Sequence, residues 1–148
     1  MYSRILVAID SNEVSQLALQ EAIKLARDQQ AKLRIIYVAD EVIFGEIYPL
    51  DIKEYGASVK KHGQAFLKEM VTLAKKMHNQ VESHLIEITN PDDNIPKQII
   101  AEANKWCAEV IILGTHGRKG LARLYLGSIA EDVVRGTSIP VHIIHGNA

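Results

Sequence analysis

Short runs of apolar residues alternate with longer stretches of helical periodicity along the whole chain, and this alternation leaves few folds open. Ile5 to Ile9 is a continuous apolar run closed by Asp10, as in a strand covered on both faces. Asp10, Ser11 or Asn12 then offers a cap for a helix whose Leu19, Ala22, Ile23 and Ala26 share one face. Leu33 to Ala39 reads as a second strand. Beyond a segment containing Gly45 and Pro49, the residues Val59, Phe66, Met70, Leu73, Ala74 and Met77 predict a helical stripe. Gly63 within it costs about 1 kcal/mol relative to alanine, which predicts a close contact at that point. Val81 to Ile88 is a third strand, and its Glu82, Ser83, His84 and Glu87 suit a sheet edge. Asp92 to Asn94 and Pro96 open a helix carrying Ile99, Ala103 and Cys107. A strand through Val110 to Leu113, a helix from about Ser128 to Arg135 and a strand from Pro140 to Ile144 complete the pattern.

Strands separated by helices in this way predict a single α/β domain, residues 1–148, built on a parallel sheet. The first and fourth strands are the most apolar and belong at its centre. If they are neighbours, the strand order reverses between them, and ligands bind outside the carboxyl ends of strands at such a switch point. Asp10 closes the first strand and Gly114 the fourth, so both are placed at one crevice.

The fourth strand leads into Gly114-Thr115-His116-Gly117, and nine residues later comes Gly127-Ser128, just ahead of a helix. Glycines let a backbone approach a ligand closely, because no Cβ intervenes and positive φ costs little. A helix start adds unpaired N–H groups and about half a positive elementary charge. The spacing Gly-x2-Gly-x9-Gly-Ser after an apolar strand therefore predicts a place for phosphate. There is no Gly-Lys-Ser/Thr and no G-x-G-x-x-G, so the two commonest nucleotide fingerprints are absent. On this reading, a side chain at Gly117 or Gly127 would occupy phosphate space, and Gly127→Val would abolish binding with the fold left largely intact.

Composition narrows the function classes. A net charge of -1 argues against a nucleic-acid binder, which carries a basic excess. The N-terminus offers five apolar residues before Asp10, too few for a signal peptide or a membrane span. The single cysteine, Cys107, suits a reducing compartment, so a cytoplasmic location is expected.

Val7-Ala8-Ile9-Asp10-Ser11, Tyr37-Val38, Ile112-Leu113-Gly114-Thr115-His116-Gly117, Leu126-Gly127-Ser128 and Ile139-Pro140-Val141 together resemble the universal stress protein family, and specifically its ATP-binding branch. That resemblance implies a Rossmann-like open, twisted, five-stranded parallel sheet of order 3-2-1-4-5 with helices on both faces. It implies ATP in the crevice, its magnesium carried by the phosphates, and a homodimer joined through the last strand, Val141 to Ile144. Val38 would offer backbone hydrogen bonds to the adenine, with Ala8 and Asp10 lining the same end of the pocket. Leu113, Gly114 and Gly117 would flank the ribose and first phosphates, and Gly127, Ser128 and Ile129 would supply the phosphate-binding helix start. Ala8 stands where some relatives carry proline. The function implied is a nucleotide-dependent regulatory module of the stress response that acts on an unidentified partner protein. The enzymatic alternative is a slow ATP hydrolase or autophosphorylating protein using Asp10 with magnesium and Ser128. A dimerising adaptor without nucleotide is a third possibility, disfavoured by the intact glycines.

Each candidate also has a plainer explanation. Asp10 could simply cap the next helix. Arg118, Lys119 and Arg123 could neutralise phosphates, or form a solvated loop. His116 has no nucleophile pattern beside it, so acid–base catalysis is not expected. The scattered histidines lack metal-ligand spacing, and no protein-held metal is expected. Cys107 and Trp106 are expected to pack at a helix end rather than sense redox state. The apolar segment from Val42 to Leu50 either packs on the domain or serves as a lid or partner surface.

Overall fold

A computed structural model of the chain describes residues 1–10, 13–40, 52–115 and 127–146, with residues 52–58 described as helix backbone only. The segments holding Val42 to Leu50 and His116, Gly117, Arg118, Lys119 and Arg123 lie outside these residues.

The elements alternate as the sequence predicts: β1 (Arg4–Ile9), α1 (Glu13–Gln29), β2 (Lys32–Asp40), α2 (Ile52–Lys75), β3 (Val81–Ile88), α3 (Ile95–Trp106), β4 (Val110–Thr115), α4 (Ser128–Gly136) and β5 (Val141–His145). All strand pairs are parallel, and the sheet order is β3-β2-β1-β4-β5. β1 and β4 are indeed central neighbours, and the polar β3 is an edge.

The strand side chains alternate between two covered faces, as the pleat requires. Ile5, Val7, Ile35 and Ile112 point to the face covered by α1 and α2, where Leu19, Ile23, Leu67 and Met70 meet them. Leu6, Ile36, Ile111 and Leu113 point to the opposite face, covered by α3 and α4 through Ile99, Ala103, Ala130 and Val133. Both faces are buried, which is why β1 and β4 read as unbroken apolar runs. Truncating one of these fully buried leucines or isoleucines to alanine costs about 2–5 kcal/mol.

α3 begins as expected. Asn94 is extended, and its side chain accepts the Lys97 amide at 2.9 Å, with Pro96 in the first turn. Gly63 also does what its position predicts: a Cβ there would lie 2.7 Å from Cε1 of Tyr37, whose ring meets Phe66 edge-on at 6.1 Å.

Three expectations need correcting. On α2 the buried face is Leu67, Met70 and Ala74, while Leu73 and Met77 are 43% and 50% exposed. Leu73 lies about a quarter-turn off that face, and Met77 falls beyond the helix end at Lys75. Cys107 does not pack into the core. It is exposed and ends α3 in the left-handed region at φ 63°, its amide donating to the carbonyls of Ala103 and Asn104. Finally, Gly114 does not end β4, which runs on to Thr115 in register with His145.

A charged cluster at the other end of the sheet went unforeseen. Arg34 of β2 reaches Glu102 of α3 at 2.7 and 3.0 Å and Glu82 of β3 at 3.3 Å. Its guanidinium and that of Arg4 both lie against the Trp106 ring, 5.8 and 5.7 Å from the centroid.

Candidate functional site

A crevice of about 330 Å³ opens where the carboxyl ends of β1, β2 and β4 meet the first turns of α3 and α4. Its inner wall is apolar: Ala8 from β1, Val38 from β2, Leu113 from β4, and Ile95 and Ile99 from α3. Its polar lining comes from Asp10, Ser15, Thr115, Gly127 and Ser128, with Ile129 also on the wall. The volume falls within the range of small-molecule pockets, and an apolar body with a polar rim suits a ligand of the same two-part character.

The helix start on the rim has the local geometry of an anion cradle. Gly127 stands at φ 80°, ψ 148°, a conformation essentially confined to glycine. It turns the chain sharply into α4, and its carbonyl accepts the first helical hydrogen bond, from Glu131 at 3.0 Å. Gly127, the residue at the cap position, has no side chain to cap this helix, and a helix N-terminus of this kind presents its first-turn amides as donors. The one carboxylate in the first turn, Glu131, is drawn back along the helix to Arg135 at 2.7 Å.

Asp10 follows β1 at the rim. The α1 residue Ser15 reaches back to it: Ser15 Oγ accepts the Asp10 amide at 2.7 Å and donates to Asp10 Oδ1 at 2.9 Å. Asp10 is therefore held by a side chain from the first turn of the helix. Its charge is felt at Tyr37, whose hydroxyl is held above the ordinary tyrosine range first by burial and then by Asp10.

Ala8, Asp10, Val38, Leu113, Gly114, Gly127, Ser128 and Ile129, all singled out from the sequence, line this one crevice, while Gly117 lies outside the described residues. Two glycines have reasons the sequence did not reveal. At Gly114 a Cβ would point at α1, 2.8 Å from both the carbonyl oxygen and Cγ1 of Val14, so close helix packing demands the glycine. At Gly127 any side chain is strained by φ alone, so Gly127→Val would not leave the local fold intact.

Ile9, Ser15, Ile95, Ile99, Thr115 and Ala130 also line the crevice and were missed as site residues. A signal existed for Ser15. It heads the buried stripe Ser15, Ala18, Leu19, Ala22, Ile23, Ala26, where a hydroxyl among apolar residues needs a partner. Thr115 is 3% exposed, and its Oγ1 would lie 3.2 Å from a Cβ on Gly127, so the end of β4 and the start of α4 are in close contact.

Among the described residues no group of three or more histidine, cysteine, aspartate or glutamate side chains is placed to hold a metal, and no helix is long and apolar enough to cross a membrane.

Comparison with known proteins gives a consistent result. The chain is 30% identical to universal stress protein MJ0531 of Methanocaldococcus jannaschii, over 97% of this chain and 82% of that protein. It is also 30% identical to universal stress protein YxiE of Bacillus subtilis, over 97% and 99% of the two chains. Among solved structures, a universal stress protein family member from Burkholderia pseudomallei superposes with a TM-score of 0.78 at 24% identity, over 97% and 96% of the chains. The universal stress protein from Archaeoglobus fulgidus in complex with dAMP has a TM-score of 0.68 at 21% identity, over 97% and 98%. A universal stress protein in complex with cAMP has a TM-score of 0.69 at 22% identity, over 97% of each chain. The model of the universal stress protein family matches residues 1–145, nearly the whole length. By sequence and by fold, the chain belongs to the universal stress protein family.

Proposed function

We propose that this protein binds ATP in the crevice at the sheet's switch point and acts in the cytoplasm as a nucleotide-dependent regulatory homodimer. The observation that carries the reading is the joining of an apolar slot, lined by Ala8, Val38, Ile99 and Leu113, to the start of α4 at Gly127. The slot suits a purine base. The helix start suits phosphates, through its amide donors and its dipole. Two proteins of similar fold hold adenine nucleotides, dAMP and cAMP, in agreement with this choice of base.

In this arrangement the Val38 backbone meets the adenine edge, and Asp10 with Ala8 lines the nucleoside end. Leu113, Gly114 and Gly117 flank the ribose and first phosphates, while Gly127, Ser128 and Ile129 take the phosphate chain. Magnesium enters with the phosphates, held by their oxygens and by water. Binding changes the surface around the crevice, and the altered surface is what a partner protein reads.

Among the described residues the outer strand β5 is paired on one side only, to β4, and its Val141, Ile143 and Ile144 are half-buried. An apolar edge of this kind calls for a partner strand, and a second copy supplies one by two-fold symmetry. Sedimentation at micromolar concentration should give a dimer, and a clean monomer would refute the assembly.

Calorimetric titration with Mg-ATP tests the central reading, with chromatography of the nucleotide before and after. Binding near one nucleotide per chain, with ATP recovered unchanged, supports a sensor. ATP turned over to ADP would move the protein to the hydrolase class. Protein shown empty after denaturation that still takes no ATP would refute nucleotide binding.

A further inference from the structure

We infer that Ser15 is a positioning residue for the crevice: its buried hydroxyl fixes the Asp10 carboxylate in the orientation that a ligand's nucleoside end meets. The inference rests on the nucleotide reading and assigns a role to a residue outside the glycine motif.

Ser15 lies in the first turn of α1 and is only 6% exposed, at the head of that helix's apolar stripe. Packing alone would favour alanine there, since serine is the poorer helix former by a few tenths of a kcal/mol, roughly. A buried hydroxyl is tolerated only where it is hydrogen-bonded. Here two of its hydrogen bonds go to one residue: the Asp10 amide donates to Oγ at 2.7 Å, and Oγ donates to Asp10 Oδ1 at 2.9 Å.

These two bonds close a small ring around the Asp10 backbone and carboxylate. Asp10 itself is exposed at the crevice rim, where an aspartate otherwise samples several rotamers. The bond to the carboxylate is charge-assisted and so belongs to the stronger class. Through it the rigid helix selects one rotamer before any ligand arrives, and the ordering cost is removed from the binding step. The same serine lines the crevice, so the device stands within the site it orders.

The test is a double-mutant cycle on Mg-ATP affinity with the wild type, Ser15→Ala, Asp10→Ala and the pair. Ser15→Ala should weaken binding about tenfold, the scale of one hydrogen bond to a charged group. In the Asp10→Ala background, Ser15→Ala should have no further effect, because the role assigned to Ser15 runs through Asp10. Equal weakening in both backgrounds would show a packing role and overturn the inference, as would wild-type affinity in Ser15→Ala. A wild type that binds no nucleotide overturns the nucleotide reading itself, and this inference with it. Amide hydrogen exchange in the ligand-free protein gives a readout independent of affinity. The Asp10 amide should exchange at least about tenfold faster in Ser15→Ala as its Oγ acceptor is lost; unchanged exchange would overturn the inference even if Asp10→Ala binds too weakly to measure.

Discussion

Replacing Gly114 with alanine puts a methyl group where the first turn of α1 already lies. The new Cβ would stand 2.8 Å from Val14 Cγ1, 2.8 Å from the Val14 carbonyl oxygen and 3.0 Å from the carbonyl carbon. Carbon atoms in good contact are about 3.5–4.0 Å apart, so the helix start must retreat by roughly 0.7 Å. A valine side chain can rotate, but a helix carbonyl in the first turn cannot. Overpacking of this kind costs about 1–3 kcal/mol, against a gain of about 0.5–1 kcal/mol from removing a strand glycine. The middle of these ranges leaves a net loss of about 1 kcal/mol in the ligand-free protein, or roughly 2–4 °C in melting temperature for a chain of this size. Urea unfolding followed by circular dichroism, without nucleotide, measures it. Adding Val14→Ala removes the Cγ1 contact and leaves the carbonyl, so the pair should be less destabilised than the sum of the single variants. Unchanged or increased stability in Gly114→Ala would refute the packing explanation, and ligand approach would again be the reason for the glycine.

Gly127→Ala should destabilise by about 1–3 kcal/mol from backbone strain at φ 80° and weaken ATP binding more than that loss alone predicts; equal stability in a urea titration would refute the strained geometry. Cys107→Gly should stabilise the protein by about 0.5–1 kcal/mol, because glycine holds the left-handed cap at φ 63° without steric penalty, and a lower urea midpoint would refute this. Tyr37 keeps its proton more tightly folded than unfolded, so its contribution is fully present below about pH 10 and is lost as pH rises through its raised folded value. Asp10→Asn should bring the Tyr37 transition down in an ultraviolet titration, and no movement would refute the charge coupling.

The parts of the fold that were legible in the sequence are those set by local pattern. β1 and β4 announced themselves as central because a strand buried on both faces has no polar residue to interrupt it. β3 announced itself as an edge through Glu82, Ser83, His84 and Glu87, and Asp92 to Asn94 with Pro96 marked a helix start, at which Asn94 is the cap. What stayed hidden depends on what approaches from elsewhere in space. Leu73 and Met77 carry the right residue type but miss the buried face or the helix itself. Cys107 looked like core because nothing local shows that a non-glycine residue will end a helix in the left-handed region. Gly114 has a packing reason that no local pattern shows, because Val14, a hundred residues earlier, is what occupies its Cβ space. The crevice rim was found through its glycines. Ile95 and Ile99 looked like ordinary core, and only the sheet order brings them opposite Val38 and Leu113.

The first turn of α1 touches more than the crevice. Ser15 grips Asp10 after β1, Val14 fills the hollow over Gly114 of β4, and Val14 Cγ2 would be only 2.5 Å from a Cβ on Gly146, just beyond β5. Gly146 is tied in turn to the end of β4, its amide donating to the Thr115 carbonyl at 3.1 Å. Two neighbouring side chains of one helical turn thus form a common bearing for the ends of three strands, and any force that tilts the turn at Asp10 is delivered to the tail of the outermost strand.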